Sequence, residues 1–268
     1  MIPTDLIDKL EHTWRATSEF CATLTEAQWK TPSQLPGWSV QDLLSHLVGT
    51  ERALEGLEST THRAPEVDYI RNPIGAANEN EVDARRHLPG AEVLKEWNDI
   101  AKVRLNTLRN GDDAYFDTPA MTPTGPGTRA DFLHIRVLDC WLHDQDMRRV
   151  LGISGNAGGP AAEHTMDRLI RTIPIVVGKR AATPEGKTVA FVVTGAVQRQ
   201  LVCTVSDGRA NVVPGTDPDA LATLTMDSDT FFQLATGRAT ADELKGKWTA
   251  SGDADHAYKV ASQFNMMI

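Results

Sequence analysis

The chain changes character near the segment Gly155 to Pro160, and this change constrains the fold more than any other sequence feature. Before the segment, apolar residues recur at the spacing of amphipathic helices. One such stripe is Val40, Leu43, Leu44, Leu47 and Val48. After the segment, β-rich runs dominate, and Asp207 with Gly208 is a hairpin-turn signal. We therefore predict an all-helical domain over residues 1–155 and a smaller α+β domain over residues 156–268.

Local signals set several boundaries within the helical half. Ser39 is a suitable N-cap, with Asp42 three residues later as its capping-box partner. Gly152 is a suitable C-cap for a helix that begins near Ala130. The stretch from Thr118 to Thr128 is rich in proline and glycine, so we expect a loop there.

Composition excludes several classes of protein. The 268 residues carry a net charge of −9, which argues against a general binder of nucleic acid or anionic membranes. The apolar runs are far shorter than the ~20 residues that span a bilayer. The N-terminus lacks the pattern of a secretory signal, and the three cysteines show no metal or disulfide spacing. We therefore expect a cytoplasmic protein.

The helix predicted around residues 135–150 carries polar residues on its apolar side. With ~100° per residue from Ile135, Asp139 lies at about 40°, His143 at about 80° and Asp146 at about 20°. These angles overlap the sector that holds the apolar residues of this helix. Two carboxylates and an imidazole are therefore expected to face the core, where an uncompensated carboxylate is costly.

A bound metal ion would compensate these groups. Asp139 and His143 have the i, i+4 spacing that lets two helix side chains share one ion. His46 lies at the edge of the apolar stripe of its own helix and is the candidate third ligand. Three protein ligands leave a position open, as in catalytic zinc sites. Asp146 is either an acceptor for a ligand imidazole or an acid used in helix packing. Alternatively, the acids and histidines form a hydrogen-bond network without a metal.

Two motifs resemble one known family. The segments Leu35 to Leu47 and Arg136 to Arg148 resemble the mycothiol-dependent maleylpyruvate isomerase family, whose N-terminal domain is a DinB-like four-helix bundle. The segments Ala222 to Arg238 and Trp248 to Asp253 resemble the sterol-carrier-protein-like domain that often follows this bundle. The resemblance implies a DinB-like metal-binding bundle followed by a sterol-carrier-like α+β domain.

The resemblance also implies a ligand set and a chemistry. It puts a divalent metal, with zinc expected, on His46, Asp139 and His143, with Asp139 standing where the isomerase has glutamate. It implies mycothiol as a thiol cofactor that the metal activates for addition to a small electrophile. The reaction is either cis–trans isomerisation or thiol transfer, and we favour transfer because of Asp139 and because no arginine matches the substrate arginine of the isomerase.

Two residues are candidates for catalysis beyond the metal ligands. Arg85 is one, because a dicarboxylate substrate needs a cation, and Asp146 is the other. We expect mycothiol and a small electrophile as partners, no nucleic acid or membrane partner, and a monomer or homodimer. The alternative function is a non-catalytic metal- and ligand-binding protein, in which Asp146 or another side chain closes the metal site.

Overall fold

A computed structural model describes residues 1–265 of the chain. The chain divides into two compact units, Met1–Asn156 and Ala157–Ile268. None of the described helices is both long enough and apolar enough to cross a membrane.

The first unit is mainly helical, as predicted. Its helices are α1 (Thr4–Cys21), α2 (Glu26–Trp29), α3 (Val40–Leu54), α4 (Pro73–Asp83), α5 (Gly90–Asn110), α6 (Asp113–Phe116) and α7 (Arg129–Leu151). The long helices α1, α3, α5 and α7 form a four-helix bundle, in which α1 and α3 each pack against both α5 and α7. The predicted bundle is therefore confirmed.

Capping residues explain where α3 and α7, the helices that carry the predicted metal ligands, begin. The Ser39 side chain accepts a hydrogen bond from the Asp42 amide, and the Asp42 side chain accepts one from the Ser39 amide. Thr128 and Asp131 form the same reciprocal pair at the start of α7. At its other end α7 stops at Gly152, whose φ of 65° is the left-handed conformation that favours glycine.

The stretch expected to be a loop before α7 forms a short antiparallel hairpin instead. Strand β1 (Pro119–Thr122) pairs with β2 (Gly125–Thr128). The turn is fixed by Gly125, at a φ of 114°, and by the Thr122 hydroxyl, which donates to the Gly125 carbonyl. Proline is tolerated because in a two-stranded ribbon one side of each strand needs no ladder hydrogen bond. The expectation of a loop was therefore wrong, because proline and glycine content does not reveal the strand pairing.

The second unit is an α+β domain built on one mixed sheet. Its elements are α8 (Pro160–Ile170), a π-helical segment (Ile175–Arg180), β3 (Thr188–Thr194), β4 (Arg199–Ser206), β5 (Arg209–Pro214), β6 (Ala222–Asp227), α9 (Ser228–Ala235), β7 (Trp248–Gly252) and α10 (Ala254–Ser262). The strand order is β5-β4-β3-β6-β7. Strands β3 and β6 are parallel, and the other neighbouring pairs are antiparallel.

The predicted hairpin between β4 and β5 is confirmed. Ser206 pairs with Arg209, so Asp207 and Gly208 form a two-residue turn. Both have positive φ, 52° and 70°, which is the conformation that such a turn requires.

Candidate metal centre

The three predicted metal ligands lie together inside the four-helix bundle. His46 lies on α3, whereas Asp139 and His143 lie one turn apart on α7, which packs against α3. One ligand atom from each residue lies within 4.8 Å of the other two. Both histidines are buried, and the Asp139 side chain is 20% exposed. We call His46, Asp139 and His143 the triad.

The spacing of the triad suits one shared metal ion. Nε2 of His46 lies 3.3 Å from Oδ2 of Asp139, and Nε2 of His143 lies 3.4 Å from Oδ1. Both distances exceed the ~2.9–3.0 Å typical of an N–H···O hydrogen bond. Donors bonded tetrahedrally to one zinc ion at ~2.0–2.1 Å lie about 3.3–3.4 Å apart. Two imidazoles and one carboxylate are also ligand types that zinc takes. The two measured distances end on different oxygens of Asp139, so the fit to a zinc-like ion rests on the cluster within 4.8 Å and on these ligand types.

Two opposing effects act on the pKa of Asp139. Burial alone would raise the pKa of Asp139. The neighbouring His143, Arg136 and His46 outweigh burial and hold that pKa well below its usual range. Asp139 is therefore an anionic donor throughout the neutral range.

The two imidazoles differ in their protonation. Burial lowers the pKa of His46, and Asp139 only partly offsets this effect. Burial acts in the same direction on His143, but Asp139 and Asp146 outweigh it and raise the pKa of His143. Within the described chain, Nδ1 of His46 is buried and has no hydrogen-bond partner. No hydrogen bond of the described chain therefore satisfies Nδ1, whereas Nε2 of the same ring faces Asp139.

Asp146 lies behind His143 and outside the triad. Its Oδ2 is 3.2 Å from Nδ1 of His143, and its Oδ1 is 3.1 Å from Nη1 of Arg149. An acceptor at Nδ1 fixes the tautomer that leaves Nε2 of His143 free for a ligand. This is the arrangement expected of an acceptor for a ligand imidazole.

The comparison with known families agrees with this geometry. The family model described as "Mycothiol maleylpyruvate isomerase N-terminal domain" matches residues 10–148, about half of the chain. This chain belongs to the mycothiol maleylpyruvate isomerase family. A second model, the SCP-2 sterol transfer family, matches residues 167–265. The resemblances seen in the motifs of both halves are therefore confirmed.

Solved structures share the fold of this family member over most of its length. The crystal structure of the mycothiol-dependent maleylpyruvate isomerase has 17% sequence identity and a TM-score of 0.57, and the match covers 92% of each chain. A histidine-to-alanine variant of that isomerase gives 15% identity and a TM-score of 0.55, with the same coverage. At these identities the likeness concerns the fold.

The matches to curated relatives cover a smaller part of the chain. Uncharacterized proteins from two strains of Mycobacterium tuberculosis, CDC 1551 / Oshkosh and H37Rv, are each 24% identical over 140 residues. The match covers 49% of this chain and 51% of each relative. The chain therefore spans about half the length of the curated relatives it matches.

In this isomerase-family member, Arg85 is held by acids away from the triad. Its Nε donates to Glu96 at 2.9 Å, and its Nη1 donates to the Glu81 carboxylate at 2.9 Å. Its neighbour Arg86 contacts Glu79 at 2.8 Å. Within the described chain, no polar contact joins Arg85 to the triad, so the structure does not bring this predicted catalytic residue to the metal ligands.

Trp38 is a site residue that the sequence did not indicate. It is half-buried, and its ring centroid lies 5.4 Å from that of His46 and 6.4 Å from that of His143. Its Nε1 donates to the buried Glu79 at 2.8 Å, which fixes the orientation of the indole. Trp38 therefore forms an apolar wall beside both candidate ligand rings.

Arg136 is the second site residue that was missed. At ~100° per residue it projects at about 100°, beside His143 at about 80°. It is buried, and its Nη1 donates to Oδ2 of Asp139 at 2.6 Å. Its i, i+3 spacing from Asp139 is the signal that would have found it.

Proposed function

We propose that the chain is a metal-dependent enzyme that uses mycothiol to attack a small electrophile. The triad would hold one divalent metal ion, with zinc expected. The observation that carries the proposal is the clustering of three donors from α3 and α7 within 4.8 Å, with Asp146 placed outside the cluster. Three protein ligands leave one coordination position for a substrate or cofactor. The matched family and the solved isomerase, both named for mycothiol, support the choice of thiol.

Each residue of the site has a separate role in this proposal. His46 supplies a neutral imidazole because burial lowers its pKa, and Asp139 supplies a carboxylate. Asp146 accepts a hydrogen bond from Nδ1 of His143 and so directs Nε2 to the metal position. Trp38 covers one side of both rings and limits access of water. A metal held there lowers the pKa of a thiol, so that thiolate is present at neutral pH.

The nucleophile in this scheme is the sulfur of the cofactor. Cys140, the cysteine beside the triad, is fully buried, and burial raises its pKa to about 12. It therefore remains a thiol at neutral pH. When bound, the cofactor would supply a thiolate that adds to one carbon of an electrophilic double bond. In transfer the resulting carbanion would take up a proton, whereas in isomerisation rotation about the former cis double bond would precede expulsion of the thiolate.

We favour thiol transfer over isomerisation. A dicarboxylate substrate needs a cation near the reacting carbon, and the guanidinium of Arg85 is already paired with Glu81 and Glu96. A catalytic role for Arg85 stays a prediction that has no support in these contacts. The proposal places the enzyme in the cytoplasm, where a thiol cofactor stays reduced.

Metal analysis tests the first part of the proposal. Wild-type protein, purified without added metal, is expected to contain about one equivalent of zinc by plasma mass spectrometry. His46→Ala and His143→Ala are each expected to lose it. His62→Ala is the matched control, because His62 also pairs with a carboxylate, Asp83, but at an exposed position. Wild type without metal after incubation with zinc, or variants with the wild-type content, would overturn the proposal.

A turnover assay separates the two reactions. The zinc-loaded protein is incubated with mycothiol and either maleylpyruvate or a panel of electrophiles. Accumulation of a mycothiol adduct by mass spectrometry supports transfer, and isomerised product with unchanged mycothiol supports isomerisation. Metal binding with neither product would contradict an enzyme of this kind and favour a metal- and ligand-binding protein.

A further inference from the structure

Arg136 joins the triad to a buried acid on α3. Its Nη1 donates to Oδ2 of Asp139 at 2.6 Å, and its Nε donates to Oε1 of Glu51 at 2.8 Å. Its Nη2 also lies 2.8 Å from Oε1 of Glu51 and donates to Sγ of Cys140 at 3.3 Å. Arg136 is 3% exposed and Glu51 is 1% exposed, so these contacts are shielded from solvent.

The contacts treat the two oxygens of Asp139 differently. Oδ2 accepts the short, charge-assisted bond from Arg136, which is the strong class of hydrogen bond. Oδ1 faces Nε2 of His143 at 3.4 Å, beyond the usual length of a hydrogen bond. Oδ2 also lies 3.3 Å from Nε2 of His46, so each oxygen faces one imidazole, and the bond from Arg136 goes to Oδ2.

We propose that Arg136 is a positioning residue whose bond to Oδ2 of Asp139 disfavours binding of the metal through both oxygens. This inference rests on the proposed function. A carboxylate that binds through both oxygens would take the coordination position that a thiol needs. By engaging one oxygen, Arg136 keeps three protein ligands on the metal and one position open. It also withdraws charge from the carboxylate, which leaves the metal a stronger Lewis acid.

The buried carboxylate of Glu51 holds the guanidinium of Arg136 in place. Glu51 is shared with Arg104, whose Nε donates to Oε2 at 3.1 Å. Arg104 in turn donates to Glu55 at 2.9 Å. Because Glu51 binds Nε and Nη2 of Arg136 while Asp139 binds Nη1, the guanidinium cannot turn away without leaving a buried carboxylate short of a partner.

Cobalt spectroscopy of the full chain tests this role. Cobalt(II) replaces zinc, and its visible absorption is stronger in four-coordinate than in five- or six-coordinate sites. Arg136→Lys keeps the charge but cannot make the directed contacts of a guanidinium to both Glu51 and Asp139. A double variant, Glu51→Gln with Arg136→Gln, removes both buried charges and keeps Arg104 paired with Glu55, so folding is preserved if the single variant fails.

The matched control is Arg148→Gln. Arg148 is another buried arginine of α7, and it pairs with Asp144 at 2.9 Å away from the triad. We expect weaker cobalt absorption and a change of zinc affinity on the order of 10–100-fold in both Arg136 variants. We expect the wild-type spectrum in Arg148→Gln.

The outcomes separate the two proposals. Wild-type spectra in both Arg136 variants, with cobalt bound, would overturn the role of Arg136 and leave the metal site intact. A wild-type protein that binds no cobalt would overturn the proposed function, and the role of Arg136 with it. An equal loss of absorption in Arg148→Gln would show that any buried arginine of α7 has this effect and would also overturn the assignment.

Discussion

Nδ1 of His143 lies 3.2 Å from Oδ2 of Asp146, one turn further along α7. Both groups are buried, so this contact sets which ring nitrogen carries the proton. It directs Nε2 of His143 toward Asp139. Asp146 thus contacts the far side of the ring and not the metal position.

Asp146→Asn is expected to weaken zinc binding about 10–100-fold, because an amide holds the Nδ1 proton less strongly than a carboxylate does. The measurement is a zinc titration against a chelator of known affinity. Asp144→Asn is the matched control, since Asp144 is a buried acid of the same helix that pairs with Arg148. Equal affinities in the two variants would contradict the role given to Asp146.

Zinc affinity is expected to fall on acidification, and the fall should begin above the usual pKa of histidine, ~6.5. Asp139 and Asp146 outweigh burial and raise the pKa of His143, so this imidazole keeps its proton to higher pH in the metal-free protein. Zinc must displace that proton, so below the pKa each pH unit costs about a factor of ten in apparent affinity. Burial lowers the pKa of His46, so this ring contributes at lower pH. Chelator competition between about pH 5 and about pH 8 measures the slope, and a flat profile would argue against His143 as a ligand.

Asp139→Asn is expected to lose the metal, whereas Asp139→Glu should retain it with altered affinity. The amide removes the anionic donor that the buried site holds with a depressed pKa. Glutamate keeps the anion and moves the carboxylate by one methylene group, away from its contact with Arg136. Metal content of both variants after identical purification checks this. Loss of metal in both would show that the length of this side chain is as critical as its charge.

The sequence predicted the elements whose ends carry strong local signals. Ser39, Gly152 and the pair Asp207 and Gly208 mark boundaries through capping and turn chemistry, which act within a few residues. The π-helical segment Ile175–Arg180 and the hairpin before α7 were not predicted. The hairpin pairs residues within ten positions, but its proline and glycine content is typical of an unpaired loop.

The site was predictable only where residue spacing carries information. Asp139 and His143 are one helical turn apart, whereas His46 was indicated by its place at the edge of an apolar stripe and then by the family resemblance. Arg136 was missed although it projects beside His143, because its second partner, Glu51, lies on α3. Asp144 and Arg148 are buried on α7 as well, and they contact the Thr17 hydroxyl and the Ala16 carbonyl of α1. The partners of such polar residues come from other helices and cannot be read from one helix alone.

Gly90→Ala is expected to destabilise the fold by about 1–3 kcal/mol through overpacking. Gly90 is the first residue of α5, and a β-carbon there would lie 2.1 Å from Cγ of the buried Trp29 ring. Gly75→Ala is the matched control in α4, because its β-carbon would lie 3.6 Å from the nearest atom, on Ile70. Alanine there should be neutral or stabilising by up to ~1 kcal/mol, since it is the better helix former. Urea unfolding of both variants measures the difference, and a Gly90→Ala protein as stable as Gly75→Ala would mean that Trp29 can move aside without cost.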